Sequence, residues 1–188
     1  MSRKYNFYDD SGTYFLSTSV VEWLDVFTRR RYKDIVIDSL DYCSNHKSLI
    51  IYGYVIMSNH IHLLISKSDS KHSFSDIIRD FKKFTAMQII KTIKDSPDES
   101  RRKWMLYMMK KQAEKNSNNT NYQFWKQHNQ PIQVEGDWVE EKLNYIHQNP
   151  VKAGWVDQPE LFLYSSARNY AGISGLLNIT SIYDGEEI

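Results

Sequence analysis

The order of apolar and polar positions in the first third of the chain predicts a strand, a helix and a hairpin. Residues 12–21 are rich in β-branched and aromatic side chains, which is typical of a strand. Residues 32–46 place apolar side chains at helical spacing and predict one amphipathic helix. Residues 48–57 and 60–66 are dense in Ile, Val and Leu, and Ser58–Asn59 between them favours a tight turn.

The remainder of the chain predicts helices around one short strand. Ser73 is followed three residues later by an acidic residue, a capping-box pattern that opens a helix. Residues 98–115 predict a second, strongly basic helix. A short strand near 123–134 precedes a helix over 138–148. The sequence ends this helix at Asn149–Pro150, because a residue before proline is pushed out of the helical region.

The predicted order is β-α-β-β-α-(α)-β-α, which favours an α+β fold. Apart from the extra helical segment near 98–115, this order approaches the ferredoxin-like arrangement, an antiparallel sheet with helices packed on one face. The chain has 188 residues and no clear linker or repeat, so we expect a single domain over 1–188. The C-terminal tail from about residue 173 carries no motif, and we expect it to be partly flexible.

Composition favours a globular protein in a reducing compartment. Hydrophobic residues make up 41% of the chain, and no stretch approaches the roughly 18 apolar residues of a membrane span, so we expect no membrane partner. The lone cysteine, Cys43, cannot form an intramolecular disulfide and falls on an apolar helix face, where a core thiol is expected. Without a signal-like apolar segment at the N-terminus, we expect a cytoplasmic location.

The net charge of +1 hides an uneven distribution. Residues 71–128 carry 13 basic and 6 acidic side chains, whereas residues 129–188 carry 3 and 9. A basic middle segment can indicate a polyanionic partner, and solvated helices show the same pattern. Both interpretations stay open on charge alone.

Two histidines begin the strand that follows the predicted turn. Because successive strand side chains alternate between faces, His60 and His62 project to one side and Ile61 to the other. Imidazoles at this spacing can share a metal ion. Solvated or hydrogen-bonded histidines give the same pattern, so this motif does not by itself define a site.

A second candidate site lies near the end of the last predicted helix. Val139, Leu143 and Ile146 form its apolar stripe. Tyr145 lies roughly a quarter-turn from that stripe, and Asn149 follows four residues later on the same side. A phenol hydroxyl and an amide oxygen can therefore face one point. The alternative is a half-buried helix tyrosine followed by an Asn cap.

Four segments carry a resemblance to a known family. They are YVIMSNHIHLLI at 54–65, FKKFT at 81–85, YIHQNPVKAGWV at 145–156 and YSSA at 164–167. Together they resemble the single-tyrosine HUH transposases of the insertion-sequence 200-like family, and more narrowly its REP-associated tyrosine transposase branch. The resemblance runs in the family's order from about residue 12 to 172. The histidine element is weak alone, and its combination with the tyrosine element at this separation is specific.

The resemblance implies a DNA strand-cleaving enzyme with a ferredoxin-like fold. Tyr145 matches the catalytic tyrosine, His60 and His62 match the metal-binding pair, and Asn149 matches the third protein ligand. It implies Mg²⁺ or Mn²⁺, no nucleotide cofactor, and a covalent 5′-phosphotyrosine intermediate. The implied partner is single-stranded DNA with hairpin structure. A homodimer and a monomer both stay open.

The basic segment supplies the cations that we expect to contact DNA phosphates. They are Lys82, Lys83, Arg101, Arg102, Lys103, Lys110 and Lys111. The candidates for stacking on unpaired bases are Trp104, Tyr107, Trp125 and His128. Two other functions stay open. One is a catalytically retired nucleic-acid-binding protein of the same fold, and the other is an unrelated metal-dependent hydrolase that uses the histidine pair.

Overall fold

The predicted alternation of strands and helices is confirmed. The computed structural model describes residues 7, 9–69, 71–116, 121–127, 131–183, 185, 186 and 188. The elements are β1 Thr13–Ser19, α1 Arg30–Lys47, β2 Leu49–Ile56, β3 His60–Lys67, α2 Phe74–Asp95, α3 Arg102–Glu114, β4 Ile132–Val134, α4 Asp137–Lys152 and α5 Ala167–Tyr170. Helix α3 is the extra helical segment that the sequence predicts near 98–115.

The four strands form one antiparallel sheet in the order β2-β3-β1-β4. β3 lies between β2 and β1, so the hairpin over 49–67 is extended by the first strand of the chain. This is the ferredoxin-like order, and the predicted α+β class is confirmed. The sheet therefore holds the start of β3, with its two histidines, at an internal position.

The two faces of the sheet carry different helices. Ile61, Leu63 and Ile65 are fully buried on the face that packs with α1 and α2. On the opposite face, Leu64 packs with Leu143 of α4 in a second, smaller cluster. The prediction of helices on one face thus holds for α1 and α2, and α4 adds a layer on the other face. His60 and His62 share the face of Leu64, because strand side chains alternate.

Two predicted helix boundaries have different outcomes. The capping box is confirmed: the backbone N–H of Asp76 donates to the Ser73 hydroxyl over 3.1 Å, and that hydroxyl donates to the Asp76 carboxylate over 2.8 Å. The predicted end of the last helix at Asn149–Pro150 is wrong, because α4 continues to Lys152. Pro150 is buried in the last turn, so packing retains the helix although proline supplies no backbone donor.

Part of the C-terminal tail packs against the sheet. Leu177 and Ile179 are buried in the larger cluster. The backbone N–H of Thr180 donates to the carbonyl of Ile51 over 2.9 Å, at the outer strand β2. These contacts attach part of the tail to the sheet. The flexibility expected from about residue 173 stays a prediction.

Gly53 lets α4 approach the sheet closely. A Cβ atom at this position would lie 2.5 Å from Cδ1 of Leu143, which is itself buried. We expect Gly53→Ala to lower the free energy of unfolding by about 1–3 kcal/mol, because the added methyl group overpacks this contact. Urea unfolding measures the change.

A double-mutant cycle with Leu143→Ala separates this contact from a general effect on β2. Leu143→Ala alone removes core volume and is expected to cost about 2–5 kcal/mol. In the double variant the clash is absent. Its loss of unfolding free energy should therefore be smaller than the sum of the losses in the two single variants. Strict additivity would show that the approach of Leu143 does not require glycine.

Candidate active site

The paired histidines open onto the α4 face of the sheet. In the antiparallel register, His60 lies opposite Ser19 and His62 opposite Ser17 on β1. The two imidazole centroids are 4.8 Å apart. His62 is buried and His60 is partly buried. The strand thus presents both rings side by side, beneath the helix that carries the candidate tyrosine.

Helix α4 brings its two candidate residues to the same place. The ring centroid of Tyr145 lies 5.3 Å from that of His62. One turn further, the side chain of Asn149 lies beside His60, within hydrogen-bonding reach of its protonated ring. The Asn149 Nδ2 group donates to the Tyr145 carbonyl over 2.9 Å, which fixes the amide on this side of α4. The structure therefore groups all four predicted side chains, and their chemical roles stay proposals.

Three residues that contact the site were not predicted from the sequence. Phe15 of β1 lies 5.3 Å from the His62 ring and 5.8 Å from the Tyr145 ring, so it fills the space beneath both. Asn59 lies beside the histidine strand, with its Oδ1 atom 2.6 Å from Nδ1 of His60. The ammonium of Lys152 lies 5.5 Å from the centroid of the Tyr145 ring. Alternation along β1 could have placed Phe15 on the histidine face, had the strand pairing been known.

Burial keeps both histidines neutral. Burial lowers the pKa of His60, and the hydrogen bond to Asn149 partly opposes that shift. The pKa of His62 is lowered to about 3, chiefly by burial and further by the neighbouring His60. At neutral pH both imidazoles therefore keep a lone pair that a cation can accept.

The residues present fit a divalent cation. Nδ1 of His62 is buried without a hydrogen-bond partner, and such an atom in a native site calls for a ligand. Asn59 holds Nδ1 of His60, as the outer partner of a metal-ligating imidazole commonly does. Within the described ranges no three His, Cys, Asp or Glu residues are grouped so that they could hold a metal ion, and the oxygen available beside the pair is that of the Asn149 amide. Two imidazole nitrogens suit a transition metal better than hard Mg²⁺, which prefers oxygen ligands such as the amide.

The predicted DNA-contacting cations fall into two groups. Those that are exposed are Lys83, Lys103, Lys110 and Lys111. Arg101 instead forms an ion pair with Asp25 at 2.6 Å, and Arg102 donates to backbone carbonyls at the end of α2. Lys82 donates to the carbonyl of Lys126 over 2.8 Å. The second group is thus engaged in holding α2, α3 and the adjoining segments together.

The predicted stacking residues also divide. Trp104 and Tyr107 are exposed on α3. Trp125 is buried, and its indole N–H donates to the hydroxyl of Thr85 over 3.0 Å, so it serves as packing. His128 lies outside the described residues. No helix in the part of the chain that the structure describes is long and apolar enough to cross a membrane.

Comparison with known proteins gives matches in sequence and in fold. Residues 24–108 match the family described as Transposase IS200 like. A solved REP-associated tyrosine transposase, bound to a REP hairpin, is similar with a TM-score of 0.61 and 19% identity over 100% of this chain and 99% of that chain. A candidate transposase from Deinococcus radiodurans R1 has a TM-score of 0.43 and 17% identity over 77% and 95% of the two chains. No curated protein sequence matches the chain.

These matches confirm the resemblance to the insertion-sequence 200-like transposases that the motifs indicate. The fold is similar to that of the solved REP-associated tyrosine transposase over 100% of this chain and 99% of that chain. The region matched by the family includes His60 and His62 and ends before Tyr145 and Asn149. The match therefore supports a transposase without reaching the residue that would attack DNA.

Proposed function

We propose that the protein is a metal-dependent single-stranded DNA endonuclease and strand transferase. The convergence of Tyr145 with His60, His62 and Asn149 carries this proposal. The histidine pair and the Tyr145–Asn149 pair are about 85 positions apart in the chain, and the packing of α4 on the sheet brings them together. A nucleophile beside a cation site is the arrangement that phosphodiester transesterification requires.

Tyr145 supplies the nucleophile. The residue is 41% exposed, so an approaching DNA strand can contact it. The phenolic oxygen attacks phosphorus and forms a covalent 5′-phosphotyrosine, the bond from phosphorus to the 3′ oxygen breaks, and a 3′-hydroxyl leaves. The phenolic proton passes to solvent, and the departing 3′ oxygen takes a proton from solvent. Attack of a 3′-hydroxyl on the phosphotyrosine reverses the step and joins strands, so the chemistry needs no nucleotide cofactor.

His60, His62 and Asn149 would hold Mg²⁺ or Mn²⁺. Such a cation, when bound, supplies Lewis-acid polarisation of a phosphate oxygen. The chain's own contribution is to fix the ligands in advance. Phe15 packs against the His62 ring, Asn59 orients the His60 ring, and the turn of α4 places Asn149 beneath Tyr145.

The proposed substrate is single-stranded DNA with a hairpin. The structurally similar REP-associated transposase is bound to a REP hairpin, and the basic residues 71–128 supply cations for a phosphate backbone. DNA transposition or a related processing reaction is the corresponding biological role, and a cytoplasmic location would suit it. A homodimer and a monomer are both compatible with this proposal.

Formation of a covalent adduct tests the proposal. The protein is incubated with hairpin-bearing single-stranded DNA and Mn²⁺ and then denatured in detergent. A DNA–protein adduct that survives denaturation is expected, together with a released strand that ends in a 3′-hydroxyl. Binding without an adduct, for hairpin substrates of varied sequence and for both metals, would favour the catalytically retired binding protein.

The metal-dependent hydrolase makes a different prediction. It would cleave DNA or another substrate with water as the nucleophile and leave no covalent adduct. A hydrolase also needs a general base near the histidine pair to activate water. The side chain that lies beside His62 is instead that of Tyr145. The contact between Tyr145 and His62 therefore favours the transposase-type reaction.

Lys83 is expected to contribute one phosphate contact. It is exposed on α2 and lines a groove with Arg79 and Lys126. Lys83→Ala should weaken DNA binding and reduce the slope of log K against log salt by about one unit, because one phosphate contact is lost. Fluorescence anisotropy over a range of salt concentrations measures both. Lys91→Ala, on the same helix, is the matched control, and an equal loss there would contradict a local contact.

A further inference from the structure

An exposed tryptophan lies beside the proposed catalytic cluster. Trp23 is 57% exposed, although a tryptophan side chain normally buries most of its surface. Its ring centroid lies 6.2 Å from that of His60, and the two rings are nearly perpendicular. The side chain of Asn59 connects them further, because its Nδ2 donates to the Trp23 carbonyl over 3.4 Å while its Oδ1 contacts His60. An aromatic surface is thus held at the edge of the metal-ligand pair.

The backbone that presents Trp23 is strained. Glu22 and Trp23 have φ angles of 52° and 53°, in the left-handed region that non-glycine residues seldom adopt. Two such residues in succession cost free energy, so the surrounding structure must impose this conformation. Residues with this kind of strain cluster at ligand sites, and the exposed ring does not recover the cost by burial.

Hydrogen bonds on both sides hold this segment in place. The N–H of Val20 donates to the carbonyl of Asn59 over 2.8 Å, at the turn before β3. On the other side, the N–H of Val21 donates to the carbonyl of Phe124 over 2.8 Å. The segment is therefore fixed to the histidine turn and to the chain before β4, and Trp23 projects from a rigid support.

Lys126 adds a cation to the tryptophan surface. Its ammonium lies 3.8 Å from the centroid of the Trp23 ring, and its backbone N–H donates to the carbonyl of Ser19 over 2.8 Å. Lys126 also lines a groove of 740 Å³ along α2, together with Arg79, Lys82 and Lys83. A positively charged path therefore leads from Trp23 onto the basic segment.

A second groove also meets Lys126. It has a volume of 290 Å³ and is lined by Gln112, Lys115 and Glu22 among others. The Glu22 carboxylate lies in this groove and accepts a hydrogen bond from the amide of Gln112. This groove is therefore less positive than the groove along α2, and the α2 groove is the better path for a phosphate backbone.

We propose that Trp23 stacks on an unpaired DNA base next to the scissile phosphate, and that Lys126 binds an adjacent phosphate. This inference rests on the proposed function and gives the means by which that site would select the nucleotide next to the cleaved bond. The base would lie on the part of the indole that Lys126 leaves exposed. Stacking of bases on aromatic side chains tolerates any base, so Trp23 would set the position of cleavage rather than its sequence.

Fluorescence of 2-aminopurine tests the stacking contact without requiring cleavage. The probe is a DNA hairpin with oligothymidine flanks that carries one 2-aminopurine at successive flank positions. It is bound to the full-length protein in the presence of EDTA. We expect quenching at one flank position, and we expect Trp23→Ala to remove that quenching and weaken binding about tenfold, equivalent to about 1.4 kcal/mol. Trp23→Phe should keep most of both effects, because it retains an aromatic surface.

Two further variants keep the test decisive. Trp23→Leu keeps a large apolar side chain and removes only the aromatic face. It should lose the quenching as Trp23→Ala does, and that loss would not be due to truncation of the side chain. Trp138→Ala removes another exposed tryptophan, in the first turn of α4, and should leave the quenching unchanged. Wild-type quenching and affinity in Trp23→Leu and Trp23→Ala would overturn the inference.

The outcomes also separate this inference from the proposed function. An adduct that forms while quenching is independent of Trp23 overturns the stacking contact alone. Quenching that depends on Trp23 while no adduct forms overturns the proposed cleavage and supports the stacking contact.

Discussion

Replacing Tyr145 with phenylalanine is expected to abolish the covalent DNA–protein adduct. The substitution removes the hydroxyl that would attack phosphorus and keeps the ring that contacts His62 and Phe15. Because Tyr145 is 41% exposed, the free energy of unfolding should change by no more than about 0.5 kcal/mol. DNA affinity should also persist. Denaturing electrophoresis with labelled hairpin DNA and Mn²⁺ measures the adduct.

A matched tyrosine on another helix controls for the loss of a phenolic group. Tyr42 is 54% exposed on α1, which packs on the sheet face opposite the histidines, and Tyr42→Phe should form the adduct at the wild-type rate. Adduct formation by Tyr145→Phe at the wild-type rate would exclude Tyr145 as the nucleophile. Loss of DNA binding together with the adduct would show instead that the variant has disturbed the DNA site.

Much of the candidate site follows from two local periodicities. The i, i+2 spacing of His60 and His62 predicts that they share a sheet face, and the i, i+4 spacing of Tyr145 and Asn149 predicts that they share a helix face. Neither spacing states that the two faces meet. The resemblance supplies that expectation, and the packing of Leu143 and Ile146 on the histidine face provides its physical basis.

The features that the sequence did not predict depend on long-range contacts. Phe15 joins the cluster only because β1 pairs with β3, and its strand pattern alone does not reveal that partner. Helix α4 passes through Pro150 because packing outweighs the local preference of the residue before proline. Trp125 resembles a stacking residue in sequence and is buried against Phe81 and Thr85.

Basic residues illustrate the same limit. Lys83 and Arg101 both belong to the basic segment over 71–128, and the sequence predicts a DNA phosphate contact for each of them equally. The structure leaves Lys83 exposed and pairs Arg101 with Asp25, a residue 76 positions earlier in the chain. Charge density therefore predicts only a region that would face DNA, and the fold shows which of its cations are exposed.

Replacing His62 with alanine is expected to remove metal binding while DNA binding persists. His62 is buried and neutral, and its Nδ1 atom has no partner within the described protein. Loss of even an outer-shell partner commonly lowers metal affinity by roughly 10- to 100-fold, so loss of a direct ligand should cost about a hundredfold or more. Titration of Mn²⁺ followed by electron paramagnetic resonance measures the unbound ion directly and does not depend on activity. The adduct should be lost in parallel.

The matched control is a histidine that lies away from the site. His46 is exposed near the end of α1, and His46→Ala should bind Mn²⁺ like the wild-type protein. Asn149→Ala should weaken Mn²⁺ binding as well, because it removes the amide that lies beside His60. Circular dichroism distinguishes metal loss from unfolding, since His62→Ala leaves space against Phe15. A folded His62→Ala protein with unchanged Mn²⁺ affinity would show that this histidine is not a ligand, and the proposed cation site would then have to lie elsewhere.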